Sequence, residues 1–572
     1  MSDAGSITCG TVDVNRPKRE FSTLAPIAVC LVVALLPGSL FEQPFRSAAE
    51  EQRWLGGSLL KASLLTIAAV FAAAAGWRRA AAAASTLFLV LGVSLHYGVI
   101  DDAYITLRYA RHLSEGIGPV WNPGERVEGS SSFLWVLAMG FLHRVTGVEL
   151  DTLARGASAA GAVVALGALA WACAPLSLVA VALAAYLPFA FWGFSGMETT
   201  ASLAGSILLL AVAAKRGATS SARRLVALGA LAGLSVWIRP EAVLLAGVVG
   251  VWVGCAAERG SRTSSGVAYA GGLALALVPL LAFRLAYYGD LLPNTYYVKV
   301  DGSGPALWAR GLRYLGNHLP PLLPVVGFAA ICAVRGRRSR LGGLALLWMG
   351  AQVATILFTG GDHFDEARFC LPIVTAAALV IAQGMPLTTR LPRVTAIALL
   401  AIVTLQLSFR HRDLARTSAV YFGRAITERW MQAGLWLREN ARPGDVVATP
   451  VAGALPYASD LVSIDLYGLN DRAIARRDMP LGGGRADHEK FDSEYVLARR
   501  PDYIYLGPFE MRDWREARAK TARMAALADL LDRISPDEYA LVNGRRNGAA
   551  FTFLRRRESA PKAEPSREEL DR

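Results

Sequence analysis

RAAAAASTLFLVLGVSLHYGVI (Arg79–Ile100) runs straight into DDAYITLRYARHLSEGIGPVWNPGERVEG (Asp101–Gly129). An apolar run of about 20 residues is long enough to cross the hydrocarbon core of a bilayer. Two adjacent carboxylates then stand where that run has to emerge. Ionised groups at a membrane boundary are costly and usually functional. The junction therefore points to a membrane protein whose chemistry gathers at one face of the bilayer.

The composition agrees. Of 572 residues, 53% are hydrophobic and only 18% charged, against about 25% charged in soluble proteins. The mean hydropathy is +0.36. The net charge of +13 is spread over short clusters between apolar runs. That pattern fits cytoplasmic loops rather than a nucleic-acid surface. No GxxxxGK[ST] stretch occurs, so nothing suggests ATP-driven transport. Cys9, Cys30, Cys173, Cys255, Cys332 and Cys370 show no metal spacing and read as packing residues.

Candidate spans begin near Phe21, Leu59, Ala80, Leu153, Leu176, Thr199, Leu225, Glu241, Val267, Leu319, Leu341, Phe369 and Pro392, about thirteen in all. The first follows RPKRE without an A-x-A cleavage site and is expected to stay as an anchor. Basic clusters at Arg16–Arg19, Arg78–Arg79, Lys215–Arg224, Arg259–Arg262, Arg335–Arg340 and Arg390–Arg393 belong inside. This alternation holds only if FLWVLAMGFL (Phe133–Leu142) is not a span. Ten apolar residues are too few to cross, so residues 131–146 are expected to lie in the outer interface as an amphipathic helix.

The expected architecture is a polytopic α-helical membrane protein with a C-terminal α/β soluble domain on the outer face. Residues 1–21 form a cytoplasmic segment and 22–410 the membrane domain, whose first outer loop spans 101–152. The tail alternates helix-like ERWMQAGLWLREN with strand-like VVATP, LVSIDLYG and YIYLG, which reads as an α/β domain over 411–555. Residues 556–572 are charged and expected to be disordered.

With this threading, charged residues far apart in sequence share the outer face. Asp101 and Asp102 open a helix about 100° apart, so only one can address a given substrate atom. Glu198 sits in a short loop between spans, and Arg239–Pro240–Glu241 is the lone polar turn between two apolar segments. Asn294 and Lys299 end a tyrosine-rich stretch, and His488 stands at the start of a tail helix. Asp362, His363, Asp365 and Arg368 crowd the entry to another span. An Asp/His/Asp set of this kind, Asp362, His363 and Asp365, can hold a divalent cation. A salt-bridged lip accounts for it more simply, and no cofactor is firmly implied.

A carboxylate and several cations at a membrane edge suit a sugar carried on a lipid phosphate. One carboxylate takes the proton from an acceptor hydroxyl, while cations stabilise the departing phosphate. The stretch Asp101–Gly129, with SGMET, IRPE, YYGDLLPNTYYVK, GGDHFDEARFCLP, SIDLYGLND and HEK, is similar in content and order to the GT-C superfamily of polyprenyl-phosphate-sugar glycosyltransferases. Within it, the chain most resembles the mycobacterial terminal β-(1→2)-arabinofuranosyltransferase family.

The resemblance implies a GT-C-like fold and inverting transfer from a polyprenyl-phosphate donor at the outer face of the plasma (inner) membrane. It makes Asp101 or Asp102 the base. Glu128, Glu198 and Glu241 would line the sugar and acceptor cleft. Charge and sidedness make Arg239, Lys299 and Arg368 candidates for the phosphate. Expected partners are the donor, a glycan, lipid or protein acceptor and membrane lipids, with no nucleic acid. Two other readings remain. A transporter or flippase of lipid-linked sugars would need charges near the middle of its spans, and these charges sit at the outer ends. A non-catalytic cell-envelope assembly protein would tolerate loss of the outer acids.

Overall fold

The computed structural model describes residues 65–66, 69–70, 76–94, 98–174, 176–216, 221–301, 304–335, 339–364, 366–385 and 426–557. The expected spans near Phe21 and Pro392, the N-terminal segment, almost all of the C-terminal tail and Asp365 lie outside these residues.

Membrane-type helices form the first body. Leu150–Ala172, Arg262–Tyr288 and Arg340–Thr359 are each long and apolar enough to cross a bilayer. Leu187–Phe194 with Thr199–Lys215 and Pro305–His318 with Pro320–Val334 qualify only as bent pairs, broken by 113° and 50°. These breaks have a local cause. Proline lacks the amide donor and clashes with the preceding turn, and Pro188 and Pro320 each stand in the first turn of a new helix segment. The expected span near Leu176 is accordingly not one helix but two short ones, Val179–Ala184 and Leu187–Phe194. The break at SGMET is what leaves Glu198 at the edge of the bundle rather than inside it.

The helix Asp101–Ser114 buries Ala103, Leu107 and Ala110 against Trp135 and Met139 of Phe133–Thr146 and against Leu150 and Ala154. Glycine permits the close crossing, since a Cβ on Gly140 would come within 2.9 Å of the Ala110 carbonyl. Phe133–Thr146 spans 14 residues, about 21 Å, which is short of a crossing.

The second body is an α/β unit. Strands β1 (Val446–Thr449), β2 (Val462–Asp465), β3 (Tyr503–Gly507), β4 (Tyr539–Arg546) and β5 (Ala549–Arg556) form one sheet in the order β2-β1-β3-β5-β4. β2, β1 and β3 are parallel, while β5 runs antiparallel to β3 and pairs with β4 in a hairpin. Asn547 and Gly548 turn that hairpin with φ of +49° and +77°, as a two-residue primed turn requires. One sheet face buries Ile464, Ile504 and Leu554 under Leu527, Leu530 and Leu531. The other buries Val447, Tyr505 and Phe553 under Ala433 and Leu437 of the helix Ile426–Asn440.

The carboxyl ends of β1 and β2 point at the membrane body. In open α/β sheets, ligands gather outside those ends, where neighbouring strands connect in opposite directions. Here that crevice is closed by Asp101.

Candidate active site

Gly453, just beyond β1, packs on the start of the Asp101–Ser114 helix so tightly that a Cβ would sit 1.9 Å from the Asp101 carbonyl oxygen. No side chain fits there. The Ala454 amide donates to Asp101 Oδ1 at 2.7 Å. One turn further along, Arg108 is buried over the Trp121 ring and donates to the carbonyls of Trp121 (2.6 Å), Leu461 (2.7 Å) and Pro456. Asn122 accepts from Ser463 N at 3.1 Å and donates to its carbonyl at 2.8 Å. These bonds clamp the first outer loop to the sheet and fix Asp101 between the two bodies. Asp102 lies next to it, half-buried.

Burial raises the Asp101 carboxyl to about 7. The Ala454 amide pulls the other way, Asp102 adds repulsion, and Gly453 and His363 oppose it. A carboxyl so placed holds or accepts a proton near neutrality.

His363, which acts electrostatically on Asp101, sits in a network drawn from both bodies. Its Nδ1 is 3.2 Å from Asp487 Oδ2 and 3.7 Å from Asp362 Oδ1. Lys299 Nζ donates to Asp487 Oδ2 at 2.8 Å. Arg368 Nε lies 2.8 Å from Asp362 Oδ2. Burial pushes the Asp487 carboxyl up, but Lys299 and His363 outweigh it and hold it well below the usual range. His488 packs its ring 4.7 Å from Tyr467 and 5.4 Å from His363, centroid to centroid. Burial, with His363 and Arg485 adding, drives its imidazole down to about 3, so it is neutral. Its Nδ1 lies 2.8 Å from the Ala486 carbonyl. A carbonyl can only accept, so Nδ1 carries the proton and Nε2 is left as an acceptor.

Asp362, His363 and Asp487 offer ligand atoms within 4.8 Å of one another. The set differs from the expected Asp362–His363–Asp365, with Asp487 arriving from the α/β body. Both carboxylates already face a side-chain cation, Arg368 on one and Lys299 on the other. The geometry is that of a neutralised ionic lip.

Beside this lip an open cleft of roughly 600 Å³ runs among the apolar helices. Leu203, Leu244, Leu245, Trp348 and Leu371 form its apolar walls, and Arg239, Glu241 and Arg368 stand at its polar end. The two guanidiniums lie 5.8 and 5.4 Å from the centroid of the same ring, Phe369. Arg239 donates to Glu198 Oε1 (2.7 Å) and Glu241 Oε1 (2.6 Å). Burial raises the Glu241 carboxyl, but Arg239 prevails and lowers it below its usual range. Ala367, just before Arg368, holds φ at +47°. A non-glycine residue there is strained, and such strain clusters at functional sites.

The remaining expected residues lie elsewhere. Glu128 is buried against Arg284, which donates to Oε1 from Nη2 at 2.9 Å and Nε at 3.1 Å, and it does not line the cleft. Asn294 donates to the carbonyls of Gly468 (2.8 Å) and Leu469 (3.0 Å), pinning the loop after β2. Sequence reading did not single out Arg108, Gly453 or Asp487. Arg108 had one legible signal: at seven residues from Asp101 it shares that face of the helix.

A domain profile described as Domain of unknown function (DUF8728) matches residues 420–555, the α/β body. The chain is 30% identical over 326 residues to the terminal beta-(1->2)-arabinofuranosyltransferase of Corynebacterium glutamicum, covering 48% of this chain and 46% of that relative. It is 30% identical over 247 residues to the enzyme of that name from Mycobacterium tuberculosis, covering 39% and 38%. The match thus spans less than half the length of these relatives. In architecture the chain resembles apo ArnT from Cupriavidus metallidurans, with a TM-score of 0.51 and 11% identity over 82% of this chain and 97% of that one. That likeness bears on fold alone: the chain is a multi-pass helical membrane protein of the same architecture.

Proposed function

We propose that this protein is a membrane glycosyltransferase moving a sugar from a polyprenyl-phosphate donor to an acceptor hydroxyl, with inversion, on the outer face of the plasma membrane. One observation carries the reading. Asp101, poised near neutrality where the two bodies meet, stands by an apolar cleft whose polar end bears Arg239 and Arg368. A lipid-linked sugar divides the same way, with an isoprenoid for apolar walls, a phosphate for guanidiniums and a sugar for the carboxylate.

In the proposed step, Asp101 accepts the proton of the acceptor hydroxyl as that oxygen attacks the anomeric carbon. The bond from that carbon to the phosphate oxygen breaks, and the phosphate leaves as an anion. It needs no proton, so one base is sufficient. Arg239 and Arg368 stabilise the charge that develops on the leaving phosphate. Glu198, Glu241 and Asp362 hold these guanidiniums in place between turnovers. A single displacement from the opposite face inverts the anomeric centre. The names of the relatives favour arabinofuranose as the donor sugar.

The test is transfer by purified protein offered a panel of radiolabelled polyprenyl-phosphate sugars. Labelled product from at least one donor is expected. Binding of donors without transfer to any acceptor would favour a carrier of lipid-linked sugars instead.

A further inference from the structure

A second concavity opens on the far side of the loop that follows β2. It is an open groove of roughly 1300 Å³, walled on one side by Arg126 and Tyr287 of the membrane body and on the other by Arg472, Arg476, Tyr495 and Arg499 of the α/β body. Its cations are held in place. Arg126 lies 4.8 Å from the Tyr287 centroid and Arg476 lies 4.6 Å from that of Tyr297. Arg472 is 2.9 Å from Asp290, and Arg499 is 2.6 Å from Glu125 and 3.2 Å from Asp471.

Aromatic faces alternating with fixed guanidinium and carboxylate groups present flat apolar patches beside directional donors and acceptors. That is the pattern a sugar presents in reverse, with its C–H faces and ring of hydroxyls. The arrangement offers little to a lipid tail.

One loop links this groove to the reaction chamber. Tyr467 packs on His488 at the chamber, and Asp471, four residues on, lines the groove. Four residues span at most about 14 Å. Asn294 and Asp465 hold the loop rigid between the two: Asp465 accepts from the amides of Tyr467 (3.1 Å) and Asn470 (2.9 Å). A single sugar at Asp101 does not reach the groove, whereas a chain of several does.

We infer that the groove binds the distal units of an extended acceptor glycan, so that the acceptor is an oligosaccharide or polysaccharide chain. The inference rests on the glycosyltransferase reading above. The acceptor's reactive end lies at Asp101, and the units behind it run along the loop to Arg126 and Arg476.

The experiment compares full-length wild type with Arg126→Ala and Arg476→Ala in nanodiscs, using polyprenyl-phosphate arabinofuranose as donor and arabinofuranosyl oligosaccharides of two and six units as acceptors. Wild type is expected to prefer the longer acceptor in kcat/KM. Each variant should lower that value for the longer acceptor by about ten-fold, as loss of one hydrogen bond from a charged group does, and leave the shorter unchanged. Direct binding of the six-unit acceptor, measured by calorimetry, should weaken in parallel. Transfer without length preference, or equal loss on both lengths, overturns the groove and spares the function. An effect that follows the anionic lipid content of the nanodisc instead makes the groove a headgroup site. No transfer and no acceptor binding in wild type overturns both.

Discussion

Glu128–Arg284 and Glu198–Arg239–Glu241 use the same two residue types at the same face of the molecule and do different work. In the first pair both side chains are only 3–4% exposed, with no cavity beside them. Burial lifts the Glu128 carboxyl to about 7 against the pull of Arg284. In the second, Arg239 and Glu241 line a cleft, and Glu241 is held below its usual range. The first is a bracket between the outer loop and a span end. The second faces space that a ligand can fill. A buried ion pair is therefore weak testimony to function until the space beside it is known.

The contrast is broken most severely through Asp101, which shares its perturbed range with Glu128 but faces the chamber. Asp101→Asn should cut turnover by about 10²–10⁴-fold with expression and membrane insertion retained. Transfer within a few-fold of wild type would remove Asp101 from the mechanism. Glu128→Ala should do the reverse. It strands the Arg284 guanidinium and should cost about 3–5 kcal/mol of stability, read by thermal unfolding, while the protein that remains folded keeps its kcat. Loss of kcat at unchanged stability would move Glu128 into the site.

Arg368→Ala sharpens the other side of the contrast. It should raise the donor KM by about 10–100-fold and leave binding of a free acceptor glycan unchanged. A smaller effect comes from pH. A base must be ionised to act, so kcat should fall about ten-fold per unit as pH drops below about 7 and level off above it. Glu128→Gln should keep that limb. A profile flat from pH 5 to 8 would contradict the assignment of Asp101 as the titrating base.

Much of this was legible in the sequence for physical reasons. The apolar run ending in Asp101–Asp102 marks a bilayer boundary. The ten-residue limit on FLWVLAMGFL separates the interfacial helix Phe133–Thr146 from a span. Alternation and the Asn547–Gly548 turn mark the closing hairpin. Hydropathy alone did not show where proline breaks an apolar run, so the segment near Leu176 reads as one span and folds as two short helices. Long-range pairing was invisible. Asp487 meets His363 across 124 positions and Lys299 across 188, and no local pattern announces such a partner. Gly453 is equally silent, since its lack of a Cβ matters only against Asp101.

The account depends on one substrate bridging the apolar cleft and the Asp101 carboxylate. A cryo-EM structure of the full chain in nanodiscs with polyprenyl phosphate tests this most directly. The phosphate should lie within hydrogen-bond reach of Arg239 or Arg368, with the isoprenoid running between Leu244 and Trp348. A lipid seated on another face, with that cleft closed and Asp101 remote from the phosphate, would contradict it.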